Sequence, residues 1–268
     1  VDLAAGTATG QGSDTLISIE NVYGSGQGDT LSGDAAANRL EGNGGDDSIF
    51  GAGGQDVLVG GQGNDTLDGG VVADLVRFTD INTVTYSADP NGVVVNLSGI
   101  TGDGSTGEGT ATDGWGNTDT LRNVQIVYGS NGNDSIVGSA ASVLEIFEGG
   151  GGNDTIDGGA ISASANNRLS FTGATGAVVV DFGAGTTSGA AGSDTISNFN
   201  QVRGSSFNDT LLGSDTTDYT ETFDGRGGND SIDGRGGFDM VRYDQASATK
   251  GVNVNLATGT ATDGLSGS

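Results

Sequence analysis

The chain runs to 268 residues with 53 glycines, one proline (Pro90), no cysteine and no histidine, and its nine basic residues face 35 acidic ones for a net charge of −26. Without Cys or His there is no disulfide framework, thiolate or imidazole metal site, HExxH zinc motif or Ser-His-Asp triad. The lone proline excludes collagen, and the charge argues against nucleic acid or an anionic membrane as partner.

Only 33% of residues are hydrophobic, a composition that would suit disorder were it not for the order of the residues. From Asp29, steps of nine reach Asn38, Asp47, Asp56, Asp65 and Asp74. Two residues after each marker comes an apolar one: Leu31, Leu40, Ile49, Leu58, Leu67 and Val76. Glycines fill the turn before each marker, as in Gly42-Asn43-Gly44-Gly45-Asp46-Asp47. A disordered acidic linker has no reason to hold this phase.

A longer period overlies the short one. Val93-Val94-Val95-Asn96-Leu97 returns as Val178-Val179-Val180-Asp181-Phe182 and as Val252-Asn253-Val254-Asn255-Leu256. These repeats divide the chain into a first unit at 1–77, with its glycine–aspartate block at 24–77, a second at 78–167, a third at 168–239 and the start of a fourth at 240–268. Both ends then fall inside a unit, which implies a piece of a longer repetitive protein. The apolar runs are short and β-branched, bounded by Gly, Asn and Asp, and predict strands of three to five residues. Six-residue glycine turns between such strands describe a coil that goes round, not a sandwich with hairpins. No run of about 18 apolar residues offers a membrane span.

The segments at 60–68 (GGQGNDTLD), 150–158 (GGGNDTIDG, shifted by one) and 225–233 (GRGGNDSID) resemble the RTX, or haemolysin-type calcium-binding, nonapeptide G-G-x-G-x-D-x-U-x. The resemblance implies an all-β fold, a right-handed parallel β-roll or β-helix solenoid stabilised by calcium. Two nonapeptides make one coil in that fold, and turns 18 residues apart stack and share an ion. One side would carry Asp14, Asp29, Asp47 and Asp65, the other Asn38, Asp56 and Asp74. Asp134 to Asp154 spans 20 residues and Asp209 to Asp230 spans 21. The excess lies opposite, at 138–147 and 213–223, where one turn should become a plain loop.

The chemistry suits calcium, a hard cation that takes six to eight oxygen ligands in tolerant geometry. Carried over residue by residue, the resemblance implies one site from Asn43, Gly45 and Asp47 with Gly60, Gln62 and Asp65. A second would join Ala52, Gly54 and Asp56 with Gly69, Val71 and Asp74. Ser130, Gly132 and Asp134 would pair with Gly149, Gly151 and Asp154, and Ser205, Phe207 and Asp209 with Gly225, Gly227 and Asp230. Asp239 extends the series, and the 15-residue pairs Asp14/Asp29, Asp119/Asp134 and Asp194/Asp209 could close shorter coils. Asn38, Gln27, Asn117 and Phe207 depart from the motif and weaken the sites they would join. Roughly eight calcium ions, or about +16, would leave about −10 of the net charge.

Trp115 reads as packing or a coil edge, and Tyr86, Phe171 and Tyr243, at matching places, as core. The TxT triplets (Thr7-Ala8-Thr9, Thr110-Ala111-Thr112, Thr260-Ala261-Thr262) occur once per unit and reflect strand propensity rather than an ice-binding face. The periodic carboxylates are absorbed by calcium, so no catalytic residue is assigned. The resemblance implies a structural segment of a large secreted bacterial protein, exported unfolded by type I secretion and folded by extracellular calcium: a stalk, adhesin segment, surface-layer or matrix unit. The alternative is the folding and secretion module of an exported enzyme or toxin. Its partners would be calcium and copies of itself in a filament or layer, with no nucleic acid and no membrane insertion. Asp65→Ala should raise the midpoint of calcium-induced folding far more than Asp103→Ala, which lies off the nine-residue phase; equal midpoints would remove the site assignment.

Overall fold

The computed structural model describes residues 1–70, 80–101, 107–141, 143–161, 166–244 and 251–262. Among them every regular element is a strand of three to six residues, and no helix is long and apolar enough to cross a membrane. The strands alternate between two sheets. In one coil, Asn21–Tyr23 lies in the second sheet and Thr30–Ser32 in the first; the next coil repeats this with Arg39–Gly44 and Ser48–Phe50. The second sheet has ten strands in its described part, from Asn21–Tyr23 to Phe238–Val241, and all its pairings are parallel.

The short strands that pair in parallel along the two large sheets mostly place their central apolar residue inward, and parallel pairing stacks equal residues. In the second sheet the register runs Val22, Leu40, Leu58, Val84, Val127, Phe147, Leu169, Val202 and Phe223. In the first it runs Leu31, Ile49, Leu67 and Leu121, then Val95, Ile136, Ile156 and Ile196, then Val180 and Leu211. These ladders face one another as one continuous core. Each fully buried Leu or Ile contributes roughly 1.5–3 kcal/mol, and each coil supplies one such inward position from each sheet.

The first sheet, thirteen strands in its described part, departs from the coil expected without hairpins. Thr118–Arg122 pairs parallel with Thr66–Asp68, but Gly109–Thr112 and Val94–Asn96 follow it antiparallel before Ser135–Val137 resumes the parallel order. The same meander returns with Thr195–Ser197, Thr186–Gly189 and Val178–Asp181 ahead of Thr210–Leu212. The valine-rich repeats of the sequence are thus antiparallel inserts in the sheet, not further coils. Thr7–Thr9 with Ser13–Thr15 forms a like pair, as does Asn253–Asn255 with Thr260–Thr262.

The coils of 20 and 21 residues are wider, and their inward residue in the second sheet is Phe147 or Phe223, both fully buried. Phe147 meets Phe199 edge to face at 6.0 Å. Tyr86 and Phe171 are core, while Tyr243 is only half-buried. Phe147→Ala should destabilise the folded chain by about 3–5 kcal/mol through the cavity it leaves, read from the urea midpoint, whereas Tyr23→Ala on the exposed face should stay within about 0.5 kcal/mol.

Candidate metal centre

Along one edge of the first sheet, each coil turns through glycines and ends on an aspartate that sits over the next. Asp47 Oδ1 accepts from the backbone N–H of Asp29 (2.7 Å), Asp65 Oδ1 from Asp47 (2.8 Å) and Asp119 Oδ1 from Asp65 (3.0 Å). The run restarts beyond the insert with Asp134 to Asp154 (2.9 Å) and Asp154 to Asp194 (3.0 Å), and again with Asp209 to Asp230 (2.9 Å). Where an insert interrupts, a valine N–H takes the place of the missing aspartate: Val93 donates to Asp134 Oδ1 and Val178 to Asp209 Oδ1. Residues just before the aspartates build an outer ladder of the opposite sense, the later coil donating to the earlier: Asn64 N–H to Asp46 Oδ1 and Asn153 N–H to Asn133 Oδ1.

With Oδ1 committed, Oδ2 is aimed back into its own turn. Its position explains the first glycine of the motif, because a Cβ on Gly42, Gly60 or Gly149 would fall onto Oδ2 of Asp47, Asp65 or Asp154. The fourth position needs glycine for a different reason: Gly45 holds φ +94° with the backbone of Gln27 and Gly28 against its α-carbon. At Asp47, Asp65 and Asp154 the buried Oδ2 has no hydrogen-bond partner among the described residues. At Asp29, Asp134 and Asp209 it accepts from Ser25, Ser130 and Ser205.

The sites expected from the sequence are placed as follows. Asn43, Gly45 and Asp47 lie one coil from Gly60, Gln62 and Asp65 in register. Ser130, Gly132 and Asp134 lie one coil from Gly149, Gly151 and Asp154, and Ser205, Phe207 and Asp209 one coil from Gly225, Gly227 and Asp230. Gln62 carbonyl accepts from Gly45 and Ser130 carbonyl from Gly151, which leaves each a second lone pair. Phe207 projects outward, 45% exposed, as a fourth-position residue that offers only its backbone.

Three expectations are corrected. Asp119 stacks on Asp65, 54 residues back, and Asp194 on Asp154, 40 residues back; neither closes a 15-residue coil with Asp134 or Asp209, because the antiparallel insert stands between them. Asp14 is exposed on Ser13–Thr15 opposite Ala8, and does not stack on Asp29. Asp56, with Ala52 and Gly54 in its turn, is followed on the stack by Asn82, 26 residues on (Asp56 N–H to Asn82 Oδ1, 3.0 Å), instead of by a residue 18 on. Gly69 donates to the Arg122 carbonyl, across the insert. Val71, Asp74 and Asp103 lie outside the described residues. Spacing alone could not find these partners, since inserts of unequal length separate residues that the coil superposes; the apolar residue two places after Asp119 and Asp194 was the available signal.

The opposite edge is built differently. Its stacked positions are Asn38, Asp56, Asn82, Gln125, Glu145, Asn167, Asn200, Glu221 and Asp239. Amide groups carry the ladder, as in Asn82 N–H to Gln125 Oε1 and Asn167 N–H to Asn200 Oδ1. In the two wider coils a glutamate closes the loop itself: Glu145 accepts from Ser139 N–H, and Glu221 from Ser214 N–H and hydroxyl. Asp56 is the exception, buried with an unpartnered Oδ2 and in the field of Asp80 and Asp34, while Asp80 Oδ1 accepts from Gly54. Asp239 is exposed at the last described strand of this stack.

Burial, and behind it the charge of neighbouring aspartates, pushes Asp65 up to about 6 and Asp56, Asp119 and Asp154 up to about 7. Asp47, Asp134 and Asp194 are raised too, by burial first. Among the described residues no three acidic side chains converge on one point. The arrangement therefore offers two carboxylates per stacked pair plus turn carbonyls, an oxygen-only set that fits calcium and lacks the nitrogen and sulfur that zinc or copper prefer.

A family model of the RTX calcium-binding nonapeptide repeat matches four segments, residues 23–58, 48–76, 126–142 and 145–160. The chain carries RTX repeats, the calcium-binding unit of bacterial RTX-type proteins, and residues 205–230 continue the same ladder outside the matched segments. No curated protein matches the chain.

The raised carboxylates bind protons better folded than unfolded. In chelator the folded state should be favoured below the ordinary carboxylate value of 3.8 and lose that stabilisation as pH rises to about 7. Circular dichroism across that range should show the metal-free chain unfolding as pH rises; a flat profile in chelator would contradict the buried ladder.

Proposed function

We propose that this chain is a calcium-folded structural segment of a large secreted bacterial protein, serving as a stalk, adhesin segment, surface-layer unit or matrix fibre, without catalytic activity of its own. The observation that supports it best is the run of six stacked aspartate pairs with buried, unpartnered carboxylate oxygens at Asp47, Asp65 and Asp154. Six stacked pairs on one edge serve a repeated mechanical element better than a single reaction centre, and the sequence holds no histidine or cysteine for nucleophilic or general-base work.

In this reading each pair holds one calcium ion through its two aspartates and the turn carbonyls. Asp65/Asp119 and Asp154/Asp194 join the pairs expected from spacing, and the coil is the right-handed roll. The ion supplies positive charge between carboxylates that resist ionisation when stacked alone. Binding free energy is then folding free energy. The chain stays extended in a low-calcium cytosol, passes a type I exporter and folds outside, where modules with Kd of about 10⁻⁴–10⁻³ M are loaded. Open strand edges at the ends of a solenoid allow copies to join in a filament or layer.

Small-angle scattering through a calcium titration tests this. The chain should contract from an expanded coil to a rod between excess chelator and several-millimolar calcium, and growth beyond one chain would identify the filament or layer form. Unchanged dimensions at every calcium level would overturn the proposal.

A further inference from the structure

The first insert contains two buried aspartates that lie off the nine-residue phase and outside every stacked pair. Asp113 ends the strand Gly109–Thr112 and is 2% exposed. Its Oδ1 holds its own turn, accepting from Trp115 (3.0 Å) and Asn117 (2.6 Å), which fixes the carboxylate and turns Oδ2 away from that turn. Oδ2 is buried and has no hydrogen-bond partner among the described residues. Asp89 is 8% exposed and sits beside it, its Oδ2 accepting from Gly114 N–H (2.8 Å), the residue next to Asp113. Asn91 Nδ2 ties the same loop to Gly114 carbonyl (2.7 Å), and the α-carbon of Gly114 packs so closely on Asp89 and Asn91 that a side chain there would collide with both.

Two carboxylates are thus held at the joint where the aspartate ladder breaks. Burial first, and the charge of Asp113 after it, pushes Asp89 up to about 6 against the Gly114 hydrogen bond that lowers it. The Asp113 charge reaches Asp65 and Asp119 as well. Among the described residues no arginine or lysine pairs with Asp113 or Asp89 in an ion pair.

The second insert is an internal reference. Ala174 donates to the Phe171 carbonyl as Asp89 does to Tyr86, and Gly189 lies opposite Val178 where Asp113 is next to the pairing of Thr112 with Val94. So Ala174 and Gly189 replace the two aspartates. There the ladder end is satisfied within the protein: Thr187 hydroxyl donates to Asp194 Oδ2. Ala111 stands at the Thr187 position in the first insert, and Asp119 Oδ2 instead takes the Tyr86 hydroxyl (3.1 Å).

We propose that Asp113 and Asp89 form an additional divalent-cation site, of calcium type, that closes the first insert onto the ladder and that the second insert lacks. The site rests on the calcium reading above and adds to it an ion that the nonapeptide pattern does not assign. Oxygen-only ligands in a buried turn again select calcium over softer metals. Its role is to lock the joint between the Asp65/Asp119 end and the Asp134 start of the ladder, so that two roll segments act as one stiff element.

Trp115, the sole tryptophan, is two residues from Asp113 and provides a local probe. Terbium, which replaces calcium, should give tryptophan-sensitised emission in the full chain. The emission should be lost in Asp89→Asn/Asp113→Asn and kept in Asp14→Asn, whose exposed side chain lies off the ladder, and equilibrium dialysis should find one calcium ion fewer in the double variant. If that variant does not fold in saturating calcium, Asp119→Asn decides: emission that persists without the neighbouring ladder pair supports the site, and emission that vanishes overturns it. Equal stoichiometry and equal emission in a folded double variant overturn this site alone. A wild-type chain that binds no calcium overturns the function proposed above.

Discussion

Aspartates stacked at the strand spacing, about 4.8 Å from one coil to the next, are the constraint on which the rest of this molecule depends. Two like charges at that separation repel by the order of 3–4 kcal/mol at an effective dielectric near 20, and the ladder repeats the pairing six times along one edge. Backbone N–H donors offset part of this by occupying Oδ1. They leave Oδ2 over a glycine that cannot donate to it from a side chain. A fold with a core one residue wide per sheet in each coil has limited apolar area to set against that repulsion, which is why the proposed function turns on a counter-charge along this edge.

The two edges show what happens when the constraint is relaxed. On the first, aspartate recurs on both sides of each insert, with Val93 and Val178 standing in only where an insert interrupts. On the second, Asn82, Gln125, Asn167 and Asn200 continue the ladder as neutral amides, and Glu145 and Glu221 reach into their own loops to accept from Ser139 and Ser214. Freed from the short turn, these coils lengthen, and Phe147 and Phe223 fill the wider interior. A long side chain closes each of these loops from within, and this edge loses the regular turn that the other keeps.

The inserts interrupt the periodic edge without ending it. An antiparallel pair enters the first sheet, yet Val93 and Val178 present their N–H groups to Asp134 and Asp209 as an aspartate would. The ladder's hydrogen-bond geometry therefore crosses the insert even though its charge does not. This lets one architecture combine rigid roll segments with joints whose chemistry differs, two buried aspartates at the first and Thr187 with Ala174 at the second.

The order of residues by itself determined the all-β class, the short strands, the inward apolar position two places after each marker, and the stacking of Asp47 on Asp65, Asp134 on Asp154 and Asp209 on Asp230, because contiguous coils turn spacing directly into neighbourhood. It also located the wider loops, since the missing glycines at 138–147 and 213–223 are visible in one dimension. Only the tertiary structure decided that Asp119 belongs with Asp65, Asp194 with Asp154 and Asn82 with Asp56. Valine-rich segments read equally well as further coils or as antiparallel inserts, because alternation fixes which face a strand buries but not the direction of its neighbour. That direction is set when the sheet closes over the core, and with it the choice of which carboxylates meet.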